Sequence, residues 1–299
     1  MILEFTAGDT RAPAEQFAAR LERGEVRAEL DRLSRAVLGW GVPRTVRVHA
    51  LKAHRYRCTF DVAVETERGH HALIAKAYAR DRADLHRAME LFVEAGLRPE
   101  AEFSIPRPLA NFPALALRLE EKVAGRSAQE VFLHGAAEER TAAARRCGQW
   151  LARFQATAPA GIGKVMDLDR ERPRWRTWTD DVAGFGEPLA GKARRLLDRL
   201  EAAVASCRGV ARCAAHGSYI PDHVMLCGRR TAAIDLDQYG AADPAREVGW
   251  FIISAQRLAM KHCGALHALD DVVEAFQAAY RAHGRDGAVM RAGFYRAVE

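Results

Sequence analysis

The sequence predicts an α+β protein of two lobes, and three observations carry that prediction. Runs of alternating β-branched and apolar residues crowd the first 120 positions. Helical periodicity dominates from position 126 onward. The short segment Glu120-Glu121-Lys122-Val123-Ala124-Gly125 separates the two regimes. The expected organisation is a first lobe over 1–119 (helix plus antiparallel sheet), a linker over 120–125 and a helical second lobe over 126–299.

Residues 27–38 carry Leu30, Leu33, Val37 and Leu38 at helical spacing, and Gly39, Gly41 and Pro43 end the pattern. Three strand runs follow, over 45–51, 57–65 and 71–77, the last two joined by the turn Thr66-Glu67-Arg68-Gly69. Residues 84–97 place Leu85, Ala88, Met89, Phe92 and Gly96 on one helix face. The Pro-bracketed stretch Ile105-Pro106-Arg107-Pro108-Leu109 leads to a further strand over 115–119. Beyond Gly125, helices are expected over 127–134, 136–156, 189–205 and 269–283, with a hairpin from Val224 that turns at Gly228-Arg229-Arg230. Trp175, Trp178 and Phe185 fall in a Pro/Gly-containing stretch read as irregular, where aromatics pack a loop onto the lobe.

Composition narrows the classes. A chain of 299 residues, 49% hydrophobic and 28% charged, is an ordinary globular protein rather than a disordered one. It opens without a basic leader, and no run reaches the roughly 18 apolar residues of a membrane span, so a soluble cytoplasmic protein that engages no membrane is expected. Six scattered cysteines without CxxC spacing read as reduced structural thiols. The net charge of +6 suits an anionic ligand such as a nucleotide, but no basic run interleaved with aromatics suggests a nucleic-acid groove.

Two carboxylate and lysine positions stand out chemically. Lys76 ends the strand run Leu73-Ile74-Ala75-Lys76-Ala77-Tyr78, among apolar neighbours, and an acidic residue of the next helix, Glu90 before Glu94, is expected to pin it. Asp235 follows the apolar run Ala232-Ala233-Ile234, where a strand would deliver a carboxylate to a metal. The bland alternative is a turn aspartate closing the hairpin. Asp237, two residues on, faces the same side of an extended chain and is expected as a second ligand or a support.

These residues belong to a longer pattern: His216-Gly217-Ser218, four residues, then His223-Val224-Met225, followed by Ile234-Asp235-Leu236-Asp237 and Ala242-Asp243-Pro244 with Glu247 beyond. The arrangement resembles the aminoglycoside phosphotransferase and choline kinase family, which has the bilobal protein-kinase-like fold. The resemblance implies ATP and Mg²⁺ as cofactors and the first lobe as the nucleotide side. Lys76 would then lie on the nucleotide phosphates, and the segment with Glu121 and Val123 would be the hinge beside the nucleotide. Asp235, His223 and Asp237 would fall at or near the metal. It makes His216 a structural hydrogen bonder and Asp243 a tie between the loop and the following helix.

Two departures fall on chemistry. Ser218 stands where the family carries the aspartate that accepts the substrate proton, and His223 stands where it carries Asn or Gln. A hydroxyl orients a nucleophile but does not take its proton near neutral pH. Asp222 is the nearby carboxylate, read first as a loop residue and second as a substitute base. The glycine-rich phosphate loop is also missing, leaving Lys52, His54, Arg55 and Arg57, or backbone amides, to meet phosphates. Two functions follow: a phosphotransferase acting on a hydroxyl of a small molecule or peptide, or a pseudokinase that binds nucleotide or a protein partner. A polycationic aminoglycoside is a poor match for a chain of this charge, whose local carboxylates are Asp180, Asp181, Asp270, Asp271 and Glu274.

Overall fold

The computed structural model describes residues 2–6, 18–207, 209–285 and 287–298; residues 1, 7–17, 208, 286 and 299, which the expected lobes include, lie outside them. Two units account for the chain: Met1–Val93 with Pro106–Val123, and Glu94–Ile105 with Ala124–Glu299.

The first unit is built on strands β1 (Ile2–Thr6), β2 (Pro43–His54), β3 (Arg57–Thr66), β4 (Gly69–Tyr78), β6 (Pro108–Phe112) and β7 (Leu117–Glu121), in spatial order β1-β2-β3-β4-β7-β6. All neighbours are antiparallel except β1 on β2. Period-two alternation decides the faces: Cys58, Phe60, Val62 and Val64 of β3 are buried while their neighbours are half-exposed. Helix α1 (Gly24–Arg32) lays Val26 and Leu30 on that core. The expected helix over 27–38 is present, but from Leu33 to Val37 it widens: the Leu38 N–H reaches back five residues to the Leu33 carbonyl at 2.8 Å. Helix α2 (Ala83–Glu94) buries Leu85, Ala88, Met89 and Phe92, the face the sequence marked.

The second unit is mostly helical: α3 (Ala128–His134), α4 (Ala137–Thr157), α5 (Leu168–Ala183), α6 (Leu189–Ala203), α7 (Pro244–Cys263), α8 (Asp270–His283) and α9 (Ala288–Val298). The stretch with Trp175 and Trp178, expected to be irregular, is helix α5. Pro173 is tolerated inside it, and Asp167 caps its start through the Asp169 N–H. Trp175 is buried, whereas Trp178 and Phe185 are exposed. Gly148 lets α4 and α8 approach closely, since a Cβ there would stand 2.5 Å from the Phe276 carbonyl oxygen.

Two small sheets complete the unit: β5 (Phe103–Ser104), β12 (Arg230–Ala233), β11 (Val224–Cys227) and β8 (Arg126–Ser127) in that order, and β10 (Cys213–Ala215), β13 (Gly240–Ala242) and β9 (Lys164–Val165). The β11–β12 hairpin turns at Gly228-Arg229. Among the described residues no helix is long and apolar enough to cross a membrane.

The division of the chain differs from the expected contiguous lobes at two places. Residues 94–105 belong with the second unit because β5 adds to β12 in parallel, Trp150 Nε1 donates to the Ser104 carbonyl at 2.7 Å, and Arg230 Nε donates to Ser104 Oγ at 2.8 Å. At the other place, Glu120 and Glu121 are strand rather than linker, and the boundary falls between Val123 and Ala124.

Trp150 is fully buried, so Trp150→Phe leaves the Ser104 carbonyl without its indole donor while keeping most of the packing. Chemical unfolding should show a loss of about 1–3 kcal/mol. A loss below a few tenths would mean the bond does not hold the segment.

Candidate active site

Strand β10, three small residues buried on all sides, ends at the fully buried His216. His216 Nε2 lies 2.9 Å from the Ile234 carbonyl oxygen. A carbonyl only accepts, so Nε2 carries the proton and Nδ1 presents its lone pair toward Ser218 Oγ at 3.4 Å. The Ser218 hydroxyl also reaches the Asp235 carbonyl at 3.3 Å. Gly217 between them has φ 85°, and a Cβ there would meet the Gln238 carbonyl oxygen at 2.0 Å, so only glycine fits this turn.

The turn is held from below by Glu247, one turn into α7. Its two carboxylate oxygens accept the His216 N–H at 2.6 Å and the Gly217 N–H at 2.9 Å. Tyr219 adds a second anchor: its ring stacks on Trp150 and Phe251, at centroid distances of 5.2 and 5.5 Å, and its hydroxyl donates to the Cys147 carbonyl at 2.8 Å. Asp243 does not perform the tie the resemblance assigned to it. It caps α7 through the Ala245 N–H at 2.9 Å and binds Arg291 and Tyr295 of α9, so it fixes helix to helix, and Glu247 fixes the loop.

His223 ends a single 3₁₀ turn, Pro221–His223. Its Nδ1 faces the Ser218 carbonyl at 2.8 Å and must be the protonated nitrogen, which leaves Nε2 as the lone pair, 3.7 Å from Asp235 Oδ2. The two residues expected at the metal thus come together. Asp235 sits in the left-handed region, φ 61°, a conformation aspartate tolerates better than most residues. At Asp237 the chain is not extended as expected but enters a 3₁₀ turn, Leu236–Gln238, and Asp237 is buried. Asp222 is exposed, and among the described residues it makes no hydrogen bond or ion pair.

Among the described residues no group of three or more His, Cys, Asp or Glu side chains could hold an ion. One carboxylate and one imidazole nitrogen fit a divalent cation whose shell is completed by phosphate oxygens and water. Mg²⁺, which prefers oxygen, is well suited by Asp235 and less so by His223.

In the first unit Lys76 is buried, 5% exposed, and its ammonium lies 3.2 Å from Glu120 Oε1. Glu90, the expected partner, is instead engaged at the surface of α2 with Arg87 at 3.0 Å and His86 at 3.6 Å. The physical reason is register: Lys76 pairs with Arg118 and Ile74 with Glu120 across β4 and β7, so one pleat face carries Lys76, Glu120 and Arg118 together. Arg118 also bonds Glu120, and its other arm reaches Met89 Sδ of α2 at 2.6 Å. Arg118 and Glu120 were missed; the signal was there in Leu117-Arg118-Leu119-Glu120, charges alternating with leucines beside a buried strand. Glu121 Oε2 accepts the Arg107 N–H at 3.0 Å, and Val123 lies buried just beyond the strand. Lys52, His54 and Arg55 are exposed on and beside the tight β2–β3 turn.

A sequence model of the phosphotransferase enzyme family matches residues 43–292, and the chain belongs to that family. Solved structures agree on the fold. A choline/ethanolamine kinase family protein from Mesorhizobium loti superposes with a TM-score of 0.59 at 16% identity, covering 91% of this chain and 81% of that one. An aminoglycoside phosphotransferase from Streptomyces rimosus gives 0.52 at 19% identity, covering 92% and 97%. A spectinomycin phosphotransferase, solved with ADP and spectinomycin, gives 0.58 at 12%, covering 90% and 83%. Among curated proteins, none matches the chain in sequence. The α+β fold and the family read from the sequence are thus borne out.

Burial pushes Glu247 up to about 7 from the usual 4.5, against the pull of the two N–H donors. A carboxyl raised on folding contributes stability that is complete below the unfolded value and is lost as pH rises to the folded one. Between pH 4.5 and 7 the stability of the wild type should therefore fall by about 3 kcal/mol relative to Glu247→Gln, whose amide does not titrate. Parallel unfolding curves for the two proteins across that window would refute the assignment. In the same assay Gly217→Ala should cost more than about 2 kcal/mol at every pH.

Proposed function

We propose that the protein is an ATP-dependent phosphotransferase acting on a hydroxyl of a small molecule, with a rate limited by a catalytic loop that lacks its carboxylate. The observation that carries this reading is the meeting of His223 Nε2 and the Asp235 carboxylate beside the Ser218 turn. A divalent cation held there would neutralise phosphate charge, as phosphoryl transfer requires. Lys76, kept in place by Glu120, supplies the second requirement, a cation for the nucleotide phosphates. The hinge position of Glu121 and Val123 is assigned to the nucleotide by family resemblance. Spectinomycin phosphotransferase, solved with ADP and a small molecule, supports the pairing of nucleotide and small-molecule substrate.

Ser218 offers orientation without proton transfer. Its hydroxyl has two acceptors in reach within the loop, the Asp235 carbonyl and His216 Nδ1, and neither belongs to a substrate. This inward engagement favours a second reading, a pseudokinase that binds nucleotide without turnover. Under the first reading Asp222, exposed on the same loop, is the remaining carboxylate able to take the proton.

Ser218→Asp separates the two. Restoring the base should raise ATP turnover by about 10²–10⁴-fold. A wild type that binds ATP and turns it over only once Ser218→Asp is introduced would be the pseudokinase, whereas wild-type turnover that Ser218→Asp abolishes would give the serine a positive role and overturn that reading. Nucleotide binding itself is checked by thermal shift: ATP with a divalent cation should raise the melting temperature of wild type, and Lys76→Ala should abolish most of the increase.

A further inference from the structure

His223 changes which ion the site selects. Its Nδ1 is committed to the Ser218 carbonyl at 2.8 Å, and the ring lies stacked near His216 at a centroid distance of 6.1 Å, so the imidazole has no freedom to present its other nitrogen. The Nε2 lone pair therefore points where the Asp235 carboxylate points. At 3.7 Å the two atoms are too far apart for a hydrogen bond, and among the described residues Nε2 makes none. Divalent ions hold nitrogen and oxygen donors at about 2.0–2.2 Å, so two donors on one ion can stand up to about 4.2 Å apart. The observed separation lies within that span. Both side chains keep part of their surface open, 16% and 21%, so an ion arriving with a nucleotide has access.

A second carboxamide or carboxylate oxygen in this place would favour Mg²⁺, a hard ion that takes oxygen ligands and parts with water reluctantly. An imidazole nitrogen tilts the choice to first-row transition ions, for which affinity at nitrogen sites rises from Mn²⁺ through Co²⁺.

Resting on the nucleotide-binding reading above, we infer that this chain's nucleotide site, through His223 and Asp235, selects a nitrogen-accepting divalent transition ion over Mg²⁺. Mn²⁺ is the practical probe, because its unpaired electrons report the ligand nuclei directly.

The experiment titrates Mn²⁺ and Mg²⁺ into the full chain with a non-hydrolysable ATP analogue, reading affinity by calorimetry and the Mn²⁺ ligands by pulsed electron paramagnetic resonance. Wild type should show imidazole nitrogen coupled to Mn²⁺, and a Mn²⁺ to Mg²⁺ affinity ratio at least about tenfold above that of His223→Asn. The spectroscopic arm needs no variant to fold. Nucleotide binding in which Mn²⁺ shows no nitrogen coupling, or in which wild type and His223→Asn share one ratio, overturns the inference and leaves nucleotide binding standing. Failure of the analogue to bind with either ion overturns both readings together.

Discussion

A single buried carboxylate carries the geometry of the catalytic loop. Glu247 takes two consecutive backbone N–H groups, those of the fully buried His216 and of the half-buried Gly217. The donors converge because Gly217 turns with a positive φ and because α7 brings Glu247 under the turn one helical turn after Asp243 caps it. From this point the positions of the Ser218 hydroxyl, the Ser218 carbonyl that orients His223, and the Ile234 carbonyl that orients His216 all follow. The arrangement is costly to charge, since burial opposes the ionised form and the two donors favour it.

The aromatic column behind the loop gives that carboxylate a rigid setting. Phe154, Trp150, Tyr219, Phe251, Phe276 and Tyr280 succeed one another at centroid distances between 4.0 and 6.5 Å, crossing from α4 through the loop to α7 and α8. Trp150 also claims residues 94–105 for this unit through Ser104, so the same indole fixes a piece of chain that precedes β6 in sequence. Offset stacks of this kind add about 0.5–1.5 kcal/mol each beyond their buried area. The loop between His216 and Val224 is thereby packed against a rigid wall.

The sequence made the strands, most helices and the loop legible because each depends on local pattern: period two in β3, helical spacing in α2 and α4, and a motif whose fold-setting letters are intact. What it concealed depends on register and on pairing across distance. Glu120 rather than Glu90 meets Lys76 because β4 and β7 are aligned as they are, and no spacing within either strand announces that. Trp175 lay in a stretch whose Pro173 read as a break, yet helix α5 runs on through that proline. The extended chain expected between Asp235 and Asp237 was replaced for the same kind of reason, since a left-handed residue followed by a 3₁₀ turn has no two-residue period. The pairing of His223 with Asp235 was suggested by the motif alone; its tautomer could be read only from the carbonyl it faces.

The Lys76–Glu120 pair has a consequence for assembly. In protein kinases the lysine that meets the nucleotide phosphates is paired with a glutamate carried by a helix. Here Lys76 and Glu120 are borne by adjacent strands of one sheet, and α2 contributes a methionine to Arg118. The contact between this lysine and Glu120 is thus hard-wired into strand alignment: it forms as soon as β4 and β7 pair in register, and no helix has to deliver the carboxylate.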